Sequence, residues 1–239
     1  MSPARPLLHS AQQDRGGIRL IGIIIVDDHV LVRKGIRALL TTQPDFRLLA
    51  EAGSYAEAVT ELRNARADLI LVDISMPGRN GIDLLTYARS VQPHARMLVL
   101  TMHAEEEYAS RALKAGALGY VTKDSTPEEL IAAIRRVAGG GVFISPRIAE
   151  GLAMRLTRDD HAAPPHTRLS NREFTIFGLL VEGKTVSAIA HELALSVKTV
   201  SAHKMRVLRK MNLRSQADLV RYSIESPGAI RHQAAIEAP

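Results

Sequence analysis

Five short runs of apolar residues in the first 142 positions constrain the fold of this chain more than any other feature. They are rich in Ile, Leu and Val and do not alternate with polar residues, which is typical of strands buried on both faces of a parallel sheet. Amphipathic stretches of helical length separate them. We therefore expect a doubly wound α/β domain with five parallel strands. The runs are Leu20–Val26, Phe46–Ala50, Leu69–Val72, Met97–Leu100 and Gly119–Val121.

The stretches between and after these runs carry the signals of helices. Pro127 follows Thr126 and precedes two glutamates, which is a favourable helix start, and three glycines from Gly139 end that helix. From Leu169 onwards every apolar pattern has helical spacing, so a separate all-helical domain is expected. The predicted helices are Val30–Leu40, Tyr55–Asn64, Ile82–Val91, Glu106–Ala115 and Pro127–Ala138, then Ile148–Leu156, then Asn171–Val181, Val186–Leu193, Val197–Met211 and Gln216–Ser223.

These patterns divide the chain into five segments. The stretch from His161 to His166, which contains two prolines, is expected to be an exposed, semi-rigid part of a linker. The N-terminal segment lacks the apolar centre of a secretory signal, and no apolar run reaches the roughly 18 residues of a membrane span, so we expect a cytoplasmic protein. The segments are a flexible tail (1–17), the α/β domain (18–142), a linker (143–167), the helical domain (168–224) and a C-terminal tail (225–239).

Charge distinguishes the two domains. Residues 18–142 hold 15 basic and 15 acidic side chains and are therefore neutral. Residues 166–224 hold ten Lys or Arg and four Asp or Glu, and their excess of six positive charges equals the net charge of +6 of the whole chain. This distribution indicates nucleic acid as the partner of the second domain, although charge alone also allows a domain that is merely basic and solvated. The chain has no cysteine, which excludes disulfides, zinc–thiolate sites and cysteine nucleophiles.

Three aspartates follow directly after predicted strands. Asp27 and Asp28 come after the first strand and Asp73 after the third. In a flavodoxin-like strand order these two strands are neighbours, so their carboxyl ends meet in one crevice. Three carboxylates in one place repel one another and require a cation, and oxygen ligands favour Mg²⁺. A lone aspartate after a strand is more often a helix cap or a turn residue, so this prediction depends on the three together.

Two further side chains complete the predicted site. Thr101 ends the fourth strand and Lys123 ends the fifth. A hydroxyl group and an ammonium group beside a carboxylate–metal site suit a phosphoryl group. We expect Asp73 to attack a phosphoryl donor and form an acyl phosphate, while Mg²⁺ and Lys123 stabilise the negative charge of the transferred group.

Residues 20–138 resemble the receiver domain of two-component response regulators, because four sequence motifs around these aspartates, Thr101 and Lys123 occur there in order. The resemblance implies that Asp73 accepts a phosphoryl group from the histidine of a sensor kinase. It also implies that Asp28, Asp73 and the backbone carbonyl of Ser75 hold Mg²⁺, with Asp27 assisting. The matching motifs are Val-Asp27-Asp28-His, Leu-Val-Asp73-Ile-Ser-Met-Pro77-Gly78-Arg-Asn-Gly81, Leu-Thr101-Met-His and Ala-Gly116-Ala-Leu-Gly119-Tyr120-Val-Thr-Lys123-Asp.

The same resemblance implies a switch pair. Thr101 would be drawn toward the phosphoryl group, and Tyr120 would change rotamer with it. A tyrosine in this position without the other motifs would more often be half-buried packing. His29 and His103 stand beside the site, but the chemistry requires neither, and we treat both as surroundings rather than as metal ligands.

The helical domain carries the caps of a helix-turn-helix. Ser170 and Glu173 form a predicted capping box, Gly183 ends the first helix, and Ser196 is a natural N-cap for the third helix after a tight turn. A short helix, a tight turn and a basic helix are typical of helix-turn-helix geometry; the alternative is an all-helical packing or dimerisation domain. The third helix is expected to expose Lys198, Lys204, Arg206, Arg209 and Lys210 and to pack through Val200, Val207, Leu208 and Met211.

This segment resembles the LuxR-type helix-turn-helix of the NarL/FixJ class of response regulators, with the motif at approximately Val186 to Met205. The resemblance implies that Val197–Met211 is the recognition helix in the major groove. The sequence departs from the usual pattern at Val186 and Ala188, where polar residues are common, and its small reading face gives little bidentate base readout. The implied DNA-binding residues are Lys198, Thr199, Val200, Ser201, Ala202, His203, Lys204, Met205 and Arg206.

Three functional hypotheses follow. The first is a transcription regulator switched by phosphorylation, with a sensor histidine kinase, double-stranded promoter DNA, a second copy of the chain and RNA polymerase as partners, and no membrane. The second is a regulator of the same architecture that works without phosphorylation. The third is an enzyme with an aspartyl-phosphate intermediate, such as a phosphatase of the haloacid-dehalogenase type. That enzyme requires an aspartate two residues after the nucleophile, where Ser75 stands, so we expect no enzyme.

Overall fold

The first domain is built on a parallel sheet with the strand order β2-β1-β3-β4-β5-β6. The computed structural model describes residues 20–76, 81–103, 106–157 and 164–226; the predicted tail 1–17 and most of the predicted tail 225–239 lie outside them. β1 and β3 are neighbours, and Val26 pairs with Val72, so both strands end at the same edge. The strands are β1 Ile21–Val26, β2 Phe46–Ala52, β3 Leu69–Val72, β4 Arg96–Thr101, β5 Gly119–Thr122 and β6 Phe143–Ile144.

Helices cover both faces of this sheet, as expected of strands without polar alternation. Alternate residues of each strand belong to two separate apolar clusters: Ile24 and Val72 pack with α2, α3 and α4, whereas Ile25 and Leu71 pack with α1 and α5. The predicted doubly wound α/β fold is therefore confirmed. The helices are α1 Val30–Thr41, α2 Tyr55–Asn64, α3 Gly81–Val91, α4 Glu106–Ala115 and α5 Pro127–Ala138.

The sheet contains one strand more than the five that we predicted. Phe143 pairs with Gly119 and Ile144 with Tyr120, which adds β6 at the edge, inside the segment predicted as a linker. A strand of two residues is too short to produce a periodic pattern. The next helix, α6 (Pro146–Thr157), packs against α4, and the segment after the first domain is thus largely structured.

The second domain is helical, with a 3₁₀ turn followed by four helices. The predicted caps are present: Ser170 and Glu173 form a reciprocal capping box, and the Ser196 side chain accepts a hydrogen bond from the backbone N–H of Thr199. His166 was expected in an exposed linker but is only 4% exposed; residues 161–163 lie outside the described residues. The elements are the turn Pro165–Arg168, α7 Asn171–Val181, α8 Val186–Glu192, α9 Val197–Met211 and α10 Gln216–Glu225.

Candidate functional site

The predicted aspartates meet at the carboxyl ends of β1 and β3. Ligand atoms of Asp27, Asp28, His29 and Asp73 all lie within 4.8 Å of one another. Asp27 and Asp73 are almost wholly buried, whereas Asp28 is half-buried. The backbone N–H of Asp73 donates a hydrogen bond of 2.8 Å to the carbonyl of Val26, which holds the ends of the two strands together.

Lys123 brings the compensating positive charge from the end of β5. Its Nζ lies 2.6 Å from Asp73 Oδ2 and 2.7 Å from Asp27 Oδ2. Burial acts to lower the pKa of the Lys123 ammonium, but the charges and hydrogen bonds of Asp73 and Asp27 outweigh it, so the pKa lies above its ordinary value. Lys123 therefore stays protonated at neutral pH and is placed to pair with further negative charge on Asp73.

The acidic cluster fits a divalent cation. Burial raises the pKa of the Asp28 carboxyl, the negative charges of Asp73 and Asp27 raise it further, and His29 opposes them. Asp28 Oδ1 is buried without a hydrogen-bond partner among the described residues; His29 Nδ1 lies 2.9 Å away but forms no aligned hydrogen bond with it. One ammonium group for three carboxylates leaves negative charge uncompensated, and hard oxygen donors in such a place suit Mg²⁺.

A chain of hydrogen bonds leads from Asp73 to the two predicted switch residues. The backbone N–H of Ser75 donates to Asp73 Oδ1 at 2.8 Å, and Ser75 Oγ lies 3.0 Å from Thr101 Oγ1. The backbone N–H of His103 donates to Thr101 Oγ1 at 3.3 Å, and the Tyr120 hydroxyl donates to the carbonyl of His103 at 2.8 Å. Both Thr101 and Tyr120 are fully buried.

Three contributions to this site were not predicted from the sequence. The Ser75 side chain contacts Thr101, whereas a role was predicted only for the backbone carbonyl of Ser75. The His29 ring, expected only as surroundings, lies among the carboxylates. Gly81 was predicted only as part of a motif, but the backbone of Asp73 passes directly beside it. Of these three, only His29 had a local signal in the sequence: it follows directly after two aspartates, so its ring must lie close to their carboxylates.

The second domain contains a helix-turn-helix made by α8 and α9. The turn between them includes Ala194 with a left-handed φ of 50°. Thr185 caps α8 by accepting a hydrogen bond from the backbone N–H of Ala188, and Val186 packs against the core of the domain. The two unusual residues at the start of α8 therefore leave the helix start intact.

The outer face of α9 is accessible. Ser201, Ala202 and Met205 are exposed there, together with Lys198. Val200 is 0% exposed. The predicted inward packing of its side chain is therefore confirmed, and the DNA contact that the resemblance implied for this residue is wrong for the side chain. The helical period places Val200 on the inner face with Val207 and Met211.

Several cations of α9 are already paired within the domain. Lys204 Nζ donates to Gln216 at 2.9 Å, and Lys210 Nζ lies 2.6 Å from Glu173. Burial, and then the neighbouring Arg206, lower the pKa of His203. Among the described residues, Lys198 and Arg209 are exposed cations of α9 without an ion pair. They are the cations of this helix that are most available to phosphate groups.

Two family models match the chain, one for each domain. The response regulator receiver domain matches residues 23–135, and the bacterial regulatory proteins of the luxR family match residues 167–223. The response regulator UvrY of Escherichia coli (strain K12) is 32% identical over 205 residues, which cover 86% of this chain and 94% of UvrY. The chain belongs to the NarL/FixJ family of two-component response regulators. The oxygen regulatory protein NreC of Staphylococcus epidermidis is 35% identical over 210 residues, covering 85% of this response regulator and 96% of NreC.

The response regulator also resembles solved structures. RcsB from Salmonella enterica serovar Typhimurium, bound to promoter rprA in the presence of phosphomimetic BeF3-, is 27% identical with a TM-score of 0.60, and the match covers 86% of this chain and 100% of RcsB. The predicted family, fold class and function are therefore confirmed: the protein is a DNA-binding transcriptional response regulator. No helix in the described part of the chain is long and apolar enough to cross a membrane.

Proposed function

We propose that a sensor histidine kinase phosphorylates Asp73 of this response regulator, and that phosphorylation promotes homodimerisation and binding of promoter DNA through α9. The observation that carries the proposal is the geometry of Asp73. Its carboxylate is held by the Ser75 backbone N–H at 2.8 Å and by Lys123 at 2.6 Å. It is thus a fixed oxygen nucleophile with a cation beside it.

The proposed reaction transfers a phosphoryl group between two side chains. A carboxylate oxygen of Asp73 attacks the phosphorus of the kinase phosphohistidine. An O–P bond forms, the N–P bond breaks, and its electron pair returns to the kinase imidazole, which takes up a proton. Lys123 moves its hydrogen bond from the Asp73 carboxylate to a phosphoryl oxygen and so offsets the new negative charge.

Magnesium would be held by the oxygens of Asp27, Asp28 and Asp73 and by the backbone carbonyl of Ser75. When bound, Mg²⁺ neutralises phosphoryl oxygens and keeps them aligned with the nucleophile. Two properties of Asp28 support this ligand set: its buried Oδ1 has no hydrogen-bond partner among the described residues, and its pKa is raised. The raised pKa follows from burial and from the neighbouring carboxylates, which a bound cation would offset.

The switch step would begin at Thr101. A phosphoryl group on Asp73 offers new acceptor oxygens, and the Thr101 hydroxyl would leave Ser75 and His103 to donate to one of them. The backbone of His103 is thereby released, and the Tyr120 hydroxyl that donates to it changes its position. This is a local charge event with a distant structural consequence.

DNA binding would place α9 in the major groove. Lys198 is the best candidate for a phosphate contact, with Thr199, His203, Lys204 and Arg206 nearby and with Ser201, Ala202 and Met205 toward the base edges. A homodimer presents two such helices to half-sites about one helical turn apart.

Promoter DNA and the kinase together point to the cytoplasm as the site of action, with RNA polymerase as a further partner. The protein acts as a regulator. Ser75 stands where a phosphatase of the haloacid-dehalogenase type needs an aspartate, which argues against an enzyme of that type.

DNA binding with and without phosphorylation tests the proposal. The probe is a labelled duplex selected from a random-sequence library by the acetyl-phosphate-treated protein, and the readout is fluorescence anisotropy. Acetyl phosphate with Mg²⁺ is expected to tighten binding by about fivefold or more, within the usual range of coupling between sites. Asp73→Ala should abolish this response, whereas Asp45→Ala, at a carboxylate remote from the site, should retain it. Identical binding under all conditions would favour the phosphorylation-independent regulator.

A further inference from the structure

A cavity of about 470 Å³ opens at the amino-terminal edge of the receiver sheet. It is lined from the stretches 62–67 and 91–95, which lead from the ends of α2 and α3 toward β3 and β4. Asp73 follows the other end of β3, so this cavity and the phosphorylation site lie at opposite edges of the sheet. Its volume is within the range of sites for small ligands.

The charged and ionisable side chains around this cavity are all basic. Arg63, Arg66 and His94 line it and are exposed, and its lining in the described chain includes no carboxylate. Arg63 Nε donates to the hydroxyl of Tyr87 at 2.9 Å, which helps to fix its guanidinium. The side chains of Arg66 and His94 have no ion pair or hydrogen bond with any residue that the structure describes. Two guanidinium groups beside one cavity repel each other, and a bound anion relieves that repulsion.

The neighbouring helix end does not account for these cations. A cation near the C-terminus of a helix often binds the last carbonyl groups, but at the end of α2 Gln92 already does so. Its Nε2 donates to the carbonyls of Leu62 at 2.7 Å and Ala65 at 2.6 Å. Its Oε1 accepts from the backbone N–H of Ala67 at 3.0 Å. The positive charge of Arg66 therefore remains for a ligand from outside.

Part of the cavity wall is apolar. Val91 lines it and is 40% exposed, although a large apolar side chain gains from burial. Leu62 and Ala95, which are otherwise buried, also line it. Guanidinium planes and imidazole rings can in addition stack on flat aromatic groups. A ligand that matches this wall carries a flat, largely apolar body as well as negative charge.

We propose that this cavity binds a nucleotide, a ligand with a flat base and a charged phosphate group. The amino-edge pocket consists of Leu62, Arg63, Arg66, Val91, His94 and Ala95. The phosphate oxygens accept hydrogen bonds from Arg63 and Arg66, because the planar guanidinium fork matches their geometry. The base lies against Val91 and His94.

A base and a phosphate group are both needed to use the whole pocket. A phosphate group alone leaves the apolar wall in contact with water, and a base alone leaves the two guanidinium groups unpaired. The pocket goes beyond the proposed phosphorylation of Asp73 and does not depend on it.

Amide NMR spectra of the full-length protein, titrated with ADP in the absence of Mg²⁺, test the proposal. Omitting Mg²⁺ avoids a metal bridge between the nucleotide and the acidic site. The amide signals of residues 62–67 and 91–95 should shift and reach saturation. Shifts confined to α9, whose exposed cations also attract phosphate groups, would overturn the pocket, and so would an absence of saturable shifts in these two stretches.

Two arginine substitutions separate the pocket from general positive charge. Arg66→Ala should weaken ADP binding by about tenfold or more, as expected for the loss of a charge-assisted hydrogen bond. Arg47→Ala is the matched control, because Arg47 is an exposed arginine on β2 outside the pocket; it should bind ADP like the parent protein. Both variants should keep the parent spectrum elsewhere and react normally with acetyl phosphate. Equal ADP affinity in Arg66→Ala and the parent protein would contradict the proposal.

The two halves of the nucleotide can be tested apart. ADP should bind about tenfold or more tightly than either adenosine or pyrophosphate, a difference of about 1.4 kcal/mol. Val91→Ser should weaken the binding of ADP but not that of pyrophosphate. Pyrophosphate that binds as tightly as ADP would make the pocket a simple anion site and overturn the recognition of a base.

A mixed-sequence DNA duplex distinguishes a nucleotide site from a second contact with nucleic acid. The bases of a duplex are stacked inside it and cannot reach the apolar wall, so the duplex should shift signals of α9 and leave those of the amino-edge pocket in place. Pocket signals that move with the duplex as strongly as with ADP would indicate a DNA contact instead and would overturn the nucleotide proposal.

Discussion

Gly81 packs directly against the backbone of Asp73. A Cβ on Gly81 would lie 2.4 Å from the Asp73 carbonyl oxygen and 2.5 Å from the Cα of Ile74, which no side chain can occupy without movement of the backbone. Gly81→Ala is therefore expected to lower the free energy of unfolding by about 1–3 kcal/mol. It should also slow phosphorylation, because the nucleophile is displaced. Urea denaturation and phosphate-affinity electrophoresis after acetyl phosphate treatment measure the two effects.

Gly35 supplies the control for this substitution. It lies within α1, and a Cβ there would meet nothing within 4 Å. Gly35→Ala should stabilise the protein by up to about 1 kcal/mol through helix propensity and leave phosphorylation unchanged. Equal effects of the two substitutions would contradict the role of close packing at Gly81.

Lys123→Ala should change two properties in opposite directions. Removing the ammonium that pairs with Asp73 and Asp27 leaves more uncompensated negative charge, so Mg²⁺ should raise the melting temperature more than in the parent protein. Phosphorylation by acetyl phosphate should fall by about 100-fold, comparable to the loss of one charge-stabilising donor elsewhere. Lys34→Ala, at an exposed position on α1, should alter neither. Calorimetry with and without Mg²⁺ measures the first effect, and a phosphorylation time course measures the second. A smaller Mg²⁺-induced rise in melting temperature than in the parent protein would contradict the prediction.

Glu173 should make the stability of the DNA-binding domain depend on pH. Burial acts to raise the pKa of Glu173, but the hydrogen bonds from Lys210 and from the capping box lower it below its ordinary value. Its contribution is thus fully present above the ordinary glutamate pKa and is lost as the pH falls through the lowered value. Glu173→Gln should cost roughly 1–3 kcal/mol near neutral pH and much less in acid. Denaturation at several pH values measures this loss of stability, and Glu182→Gln is the exposed control. A difference in the free energy of unfolding between Glu173→Gln and the parent protein that does not change with pH would argue against the prediction.

Substitutions of two residues on opposite faces of α9, Lys198 and Val200, should affect DNA binding and folding separately. Lys198→Ala should weaken binding to every duplex and reduce the log–log salt slope by about 0.9, as expected for one lost phosphate contact, with unchanged stability. Val200→Ala should lower the free energy of unfolding of the domain by roughly 2 kcal/mol and leave the salt slope as it was. Salt titrations of anisotropy and denaturation curves distinguish these outcomes.

The acidic site could be predicted from the sequence because strand ends determine it. Once β1 and β3 are recognised as buried parallel strands, the residues that follow them must lie side by side, and Asp27 and Asp73 do so. The helix caps at Ser170 and Ser196 were equally predictable, since each cap depends on residues within one turn.

The features that the sequence did not reveal depend on contacts between distant residues. The burial of His166 requires Arg111 and Tyr222, which lie 55 and 56 positions away. β6 is defined only by its pairing with β5. The wrongly implied DNA contact of Val200 has a different cause. The resemblance implied a contiguous stretch of DNA-binding residues, but such a stretch crosses the inner face of α9, where the helical period of 3.6 residues turns the Val200 side chain toward the core.

The pairing of β6 with β5 determines where this protein can be divided to build chimaeric regulators. A receiver cut after the glycines that end α5 would lose Phe143 and Ile144 and expose the backbone edge of β5 to other chains, which invites aggregation. A junction placed after α6 keeps that edge covered and also retains the packing of α6 on α4. Sensor fusions and domain exchanges should therefore carry the segment through Thr157 with the receiver, although its sequence resembles a dispensable connector.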